Sequence, residues 1–321
     1  MAKSKNKKNK DTIVEAEVVE IKDDVKKQVK SKKENNLDIK FNLNKNHINL
    51  IILGAILFLG FYLRMYHMDY PVVGYHNWKE THYLTEANNF VEGGYFEHGF
   101  FIPSTDFPHI KDAYSDPAGA HSDPFPVISI LVSLFFFVFG SSLLVARLVN
   151  IFLGLGVIFL MYLILKKLFR REDLALVGAL VTAINPLFVF FNRQVQDINS
   201  AMFFGLLSIL MYLIWRNSSK TKHLVLTALF MGISFMNKYS FALLAIPIFF
   251  TFPFSKLKNK KTLKQTIISA LFFIVPVLFW FIYSKIKSVE LNTKIAATQF
   301  KISTLVSPAF WQSLQSYVAD N

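Results

Sequence analysis

Runs of apolar residues about as long as a bilayer is thick recur eight times after residue 46, and no feature of this chain constrains its fold more. A helix needs about 20 apolar residues to cross hydrocarbon. In that environment it is one of only two structures that satisfy every backbone donor and acceptor internally. The runs read as residues 47–66, 124–139, 142–165, 174–191, 200–215, 223–236, 239–254 and 266–283. Most connections between them are short, so the expected fold is an all-α polytopic membrane protein, a transmembrane helical bundle over residues 47–321. With 53% of residues hydrophobic, too little polar surface remains to dress a water-soluble domain.

The charges fit a membrane better than a nucleic acid. The formal charge is +13, but the basic residues sit in an N-terminal tail and in short loops, not on one basic surface interleaved with aromatics. Nucleic acid is therefore not an expected partner. Residues 1–46, opening MAKSKNKKNK, are rich in Lys, Asn and Glu and nearly free of aromatics. They cannot bury enough apolar surface to offset the entropy of ordering, so a disordered basic cytoplasmic tail is expected, able to touch anionic membrane lipids. The first apolar run begins too late for a cleavable signal peptide. The chain has no cysteine, which excludes disulfides, thiolate nucleophiles and cysteine-held metals.

Short loops rich in Lys and Arg mark the cytoplasmic side. Here they carry Lys166, Lys167, Arg170 and Arg171, then Arg216, Lys220 and Lys222, then Lys256, Lys258, Lys260, Lys261 and Lys264. They alternate with the connections at 192–199 and 237–238, which are expected to face outside with the long polar loop 67–123. One conflict stands in this count. Two full crossings between 124 and 165 would put the 166–171 cluster outside, so either the short run 124–139 does not cross or the charge rule fails for part of the chain.

Chemistry-bearing residues collect in the 67–123 loop and at span ends. The stretch HNWKETHYLTEANNFVEGG, from His76, reads as a helix stopped by Gly93 and Gly94. His76, Glu80, Leu84, Ala87 and Val91 share a stripe at helical spacing that is apolar apart from its first two members. Such a helix lies on the membrane interface. A carboxylate on its packed side gains proton affinity unless a cation or metal compensates, which is how a general base is tuned. A His76–Glu80 pair that merely neutralises itself is the plainer alternative.

Glu80 is thus the first catalytic candidate. The same loop holds Asp69, Asp106, Asp112, Asp116 and Asp123 with His98, His109 and His121. Asp106 is the second catalytic candidate, and His76, Lys79 and Asp123 are candidates for binding substrate. These residue types would suit a divalent cation, but no fixed ligand spacing identifies one, so no cofactor is assigned. At span ends, cations often only snorkel to the interface. Arg193, in FNRQVQDINS, nonetheless offers a planar fork of donors that suits a phosphate, and Asp197 can orient it. Lys238, in FMNKYSFALLAIP, and Arg147, in LLVARLVNIFLGLG, are further cations in apolar surroundings.

The first span, the outer loop with an acidic helix, then ARLVNIFLGLGVIFLMYLILKKLF, NPLFVFFNRQVQD and GISFMNKYSFALLAIP together resemble the GT-C glycosyltransferases. The nearest group is the protein mannosyltransferase and aminoarabinose transferase type, including the bacterial Rgt-like sugar transferases, over roughly residues 47–254. The resemblance implies a GT-C-like bundle and an inverting enzyme that takes a sugar from a polyprenyl-phosphate donor to a lipid, glycan or protein acceptor on the outer face. In that family an Asp-Glu pair opens the first outer-loop helix, with one carboxylate as base or metal contact. The matching positions here are Lys79 and Glu80, so the first acid is missing. Either Glu80 acts alone, or Asp106 supplies the second acid, or activity is lost. By position, Arg193 and Lys238 match the family's basic residues near the donor phosphate. The family usually continues with further spans, so either a fragment or a C-terminally shortened member is expected.

Two other functions compete with this one. A transporter or lipid flippase would show internal repeats, paired half-helices and charges at mid-membrane depth. None is evident in the sequence. An inactive relative serving as a partner subunit would account for Lys79.

Overall fold

The computed structural model describes residues 45–74, 77–105, 120–121 and 124–290, with positions 308, 311, 312 and 315. The expected tail lies outside these residues. The chain divides into two units, residues 1–48 and 49–321. Of the first, only the opening turn of a helix is described.

Among the described residues the apolar runs are helical and no strand forms, apart from an isolated bridge between Ser104 and Ala120. The helices are α1 (Lys45–Met65), α2 (Asn77–Glu92), α3 (Val127–Phe139), α4 (Leu143–Phe169), α5 (Glu172–Ile184), α6 (Pro186–Asn192), α7 (Asp197–Ser218) and α8 (Thr221–Asn237). A 3₁₀ turn (Tyr239–Leu244) leads into α9 (Ala245–Thr251), and a second (Phe254–Lys258) into α10 (Lys260–Glu290). Helices α1, α4, α7 and α10 are each long and apolar enough to cross a membrane. The bent pair α5–α6 makes a fifth candidate. Exposed Leu271, Val275, Phe279 and Ile282 along α10 form a face that suits lipid and not water. The fold is that of an all-α polytopic membrane protein.

Local chemistry sets the breaks. Pro186 lacks an N–H and disfavours helix at the residue before it. Asn185 accordingly leaves helical geometry at ψ 118°, its side chain accepts from Phe188 N–H, and α6 sets off at 61° to α5. The carbonyl of Ala183, beside this break, accepts from Arg64 Nη1 at 3.0 Å. Arg64 Nε donates to Asn192 Oδ1 at 2.9 Å, and Asn199 Nδ2 donates to Asn150 Oδ1 at 2.8 Å. Asn192 and Asn199 are themselves bonded, so one buried polar chain links α1, α4, α6 and α7. Gly154 lets Asn192 approach α4, since a Cβ there would strike the Asn192 side chain. Below this level Ala175, Ala179 and Ala183, spaced one turn apart, bring α5 against Leu53 and Ile56 of α1 and Ile158 and Tyr162 of α4.

Contacts at the two ends of helix α3 resolve the crossing count. Helix α3 has 13 residues, about 20 Å, well under the roughly 30 Å of a hydrocarbon core. Near its start Phe125 N–H donates to Met236 O at the end of α8. Just past its end Ser141 bonds to Asn88 of α2. The chain then turns at Gly140 (φ 82°), α4 is capped by Ser142, and Arg147 meets Glu80 of α2. Both ends of α3 therefore lie at the same face of the bundle, and the run 124–139 does not cross. The basic loops gather at the opposite face, where Arg216 donates to Thr251 O and Gln265 Nε2 donates to Ser219 O at 3.0 Å.

Because the chain lacks cysteine, single cysteines report sidedness cleanly. Thr81→Cys and Ser141→Cys are expected to react with an impermeant thiol reagent from one side of the membrane, and Ser219→Cys and Asn259→Cys from the other. Labelling of Ser141→Cys from the same side as Ser219→Cys would mean that α3 crosses.

Candidate active site

The site grows from the first turn of α2. Glu80 is 2% exposed, and the apolar stripe expected around it is only partly realised: Thr85, Glu86, Ala87 and Phe90 are the other buried residues of the helix. The Glu80 carboxylate does not face apolar packing. Arg147 of α4 grips it in a fork, Nε to Oε1 and Nη2 to Oε2, both at 2.9 Å. Val195 N–H adds a third hydrogen bond to Oε1 at 3.1 Å. The remaining guanidinium nitrogen of Arg147 donates to Met68 O at 2.9 Å and Tyr70 O at 2.5 Å. A paired arginine this far along the chain is invisible to helical periodicity, which explains why the expected apolar setting did not materialise.

Glu80 and Arg147 form one wall of a cavity of about 330 Å³, also lined by Tyr66, His67, Tyr70 and Arg193. Arg193 caps α6, and its guanidinium lies over the Tyr66 ring at 5.5 Å. Burial and the neighbouring Arg147 charge hold its proton affinity below the usual guanidinium range, with Tyr66 opposing. Among the described residues no carboxylate pairs with Arg193, so the cavity carries two guanidiniums and one carboxylate.

A second charged cluster lies on the same face. Asp197 opens α7, where the helix dipole favours a negative charge. Lys238 Nζ bonds both its oxygens, at 2.9 and 2.7 Å, and Lys79 Nζ stands 4.0 Å away. Burial lowers the Lys79 proton affinity, Asp197 opposes this, and Lys238 adds to it. Asn237 Nδ2 fixes the turn by donating to Asp197 O at 2.8 Å. Lys79, Glu80, Arg147, Arg193, Asp197 and Lys238 are thus brought to one face from α2, α4 and the α6–α7 and α8 connections. His76, Asp106 and Asp123 lie outside the described residues.

Sequence reasoning missed a third cluster on the other flank of α2. His82 Nε2 and His121 Nε2 approach Glu86 Oε1 at 2.9 and 3.1 Å, the two imidazoles stack at 4.9 Å, and Ser129 of α3 donates to Oε2. Burial pushes the Glu86 carboxyl up, but the hydrogen bonds and charges of His121 and His82 outweigh it and hold it down to about 2. His82 and Glu86 are one turn apart and could have been paired by spacing. His121 could not.

Residues 121–280 match the family model described as dolichyl-phosphate-mannose-protein mannosyltransferase, a stretch that runs from α3 through most of α10 and includes Arg147, Arg193, Asp197 and Lys238. No curated protein and no solved structure matches the chain. With its bundle of apolar helices and its charged face, the chain belongs to the dolichyl-phosphate-mannose-protein mannosyltransferase family of GT-C membrane glycosyltransferases.

Proposed function

We propose that this protein transfers a sugar from a polyprenyl-phosphate donor to a lipid, glycan or protein acceptor at the outer face of the cell membrane, with inversion at the anomeric carbon. The observation that carries this reading is the pairing of a polar and an apolar cavity across one short helix. Phe190 of α6 lines the cavity of Glu80, Arg147 and Arg193. The next residue, Phe191, lines an apolar cavity of about 360 Å³ with Val157, Met161, Phe188 and Met202. An amphiphile with an anionic head and a hydrocarbon tail matches that pair, whereas a nucleotide sugar would not use the apolar half. The outward orientation rests on the positive-inside rule, since the Lys- and Arg-rich loops lie at the opposite face.

In this mechanism Arg193 binds the donor phosphate through its fork of donors. The acceptor hydroxyl gives its proton to Glu80 as it attacks the anomeric carbon, and the lipid phosphate departs against the guanidiniums. Arg147 and Val195 N–H are positioning groups that hold the carboxylate in one orientation. Asp106 is the reserve acid should the family's two-carboxylate arrangement apply, because Lys79, standing where the family has its first acid, turns toward Asp197.

Three variants separate these roles when transfer of labelled sugar from polyprenyl phosphate is measured in liposomes, with melting temperature alongside. Glu80→Gln is expected to lower turnover by roughly 10²- to 10⁴-fold, the usual loss for a general base. Arg193→Ala is expected to raise the donor KM by roughly tenfold or more, the scale of a lost hydrogen bond to a charged group, and to leave stability nearly unchanged. Arg147→Met strands a buried carboxylate, so it is expected to cost about 3–5 kcal/mol of stability as well as activity. Normal turnover in Glu80→Gln with loss in Asp106→Asn would move the base to Asp106, and normal turnover in both would refute the mechanism.

A further inference from the structure

Outside the site just described, the most constrained polar cluster is His82, Glu86 and His121. Glu86 is 2% exposed, yet two imidazoles from different segments converge on one of its oxygens. Their candidate ligand atoms all lie within 4.8 Å of one another. Three ligands at about 2.0–2.2 Å from a tetrahedral ion stand roughly 3.3 Å apart, and the two imidazole–carboxylate separations are 2.9 and 3.1 Å. Those two separations are within a few tenths of an ångström of that spacing, and a turn of the two stacked imidazoles toward the shared carboxylate oxygen would complete the set.

The surroundings suit one too. Two imidazoles and one carboxylate form a donor set used for zinc, with a fourth position left to water, and also for non-haem iron. Ser129, fully buried on α3, donates to the other Glu86 oxygen, the kind of outer contact that orients a ligating carboxylate. The side chains of His82 and His121 are 26% and 17% exposed, so the open position faces solvent while the carboxylate lies behind. The loop bearing His121 is aligned by its own backbone, His121 N–H donating to Pro103 O at 3.1 Å.

We propose that His82, Glu86 and His121 bind a divalent transition-metal ion of the zinc class, and that the ion staples the segment ahead of α3 to the interfacial helix α2. The ion completes contacts between segments 39 residues apart in sequence, His82 and His121. Its job is to hold the outer-face helices together, and it does not depend on the transferase reading.

The test uses the full-length protein, purified without a polyhistidine tag, equilibrated with Zn²⁺ and freed of excess by gel filtration. Elemental analysis is expected to find about one zinc per chain, and Co²⁺ substitution to give the visible absorption of a four-coordinate ion. His82→Gln, His121→Gln and Glu86→Gln are each expected to lose the zinc and the cobalt spectrum, whereas Glu80→Gln keeps both. Glu86→Gln can fail to fold. His82→Gln, at a partly exposed imidazole, is therefore the decisive variant, with its metal-free melting temperature compared with that of the metal-free parent. A parent that retains no zinc, or a folded His82→Gln and His121→Gln pair that retain it fully, would overturn the proposal. A parent protein that holds zinc but transfers no sugar would instead speak against the glycosyltransferase reading alone.

Discussion

A single forked ion pair, Arg147 on Glu80, organises one end of the helical bundle. It is almost wholly removed from water, with side chains 6% and 2% exposed. Charges in that position are tolerable only when every donor and acceptor is used. The pair meets that demand by recruiting backbone from two other segments, Met68 O and Tyr70 O on one side and Val195 N–H on the other. The end of α1, helix α2, the start of α4 and the α6–α7 connection are thereby fixed to one another, and the cavity is the space they enclose.

The charge balance follows from that frame. Among the described residues Arg147, Arg193, Lys79 and Lys238 meet two carboxylates, Glu80 and Asp197, so this part of the face carries more positive than negative charge. An anion is the natural complement, and phosphate suits guanidinium forks best. The cytoplasmic-type loops hold the other large collection of cations, but there the lysines and arginines are mostly exposed. In the proposed function the first group binds the donor and the second sets orientation.

How much of this was legible in the sequence depends on whether a feature is local. Helix positions were legible because apolar runs and backbone satisfaction leave no alternative in hydrocarbon. The grouping of Glu80, Arg147, Arg193, Asp197 and Lys238 on one face was legible through alternating basic loops. The role of residues 124–139 was not, since a run of 16 apolar residues can equally be a short crossing or a helix lying along a face. Only the contacts at Met236, Asn88 and Arg147 distinguish these. The partner of Glu80 lies 67 positions away, and Arg64, buried at a span end with Asn192 and the Ala183 carbonyl, belongs to a network with no sequence period. Periodicity finds faces, but pairing between faces needs the fold.

Glu80 and Arg147 act as one unit, and a double-mutant cycle reads their coupling. Stabilities of the parent, Glu80→Gln, Arg147→Met and the double variant would be measured by reversible unfolding in detergent micelles. Partners in one buried pair show interaction energies of about 0.5–3 kcal/mol. The double variant is expected to be destabilised by clearly less than the sum of the two single losses, because each single change leaves the other charge stranded. Losses that simply add would mean that the two side chains are independent and that the site is not built on their pairing.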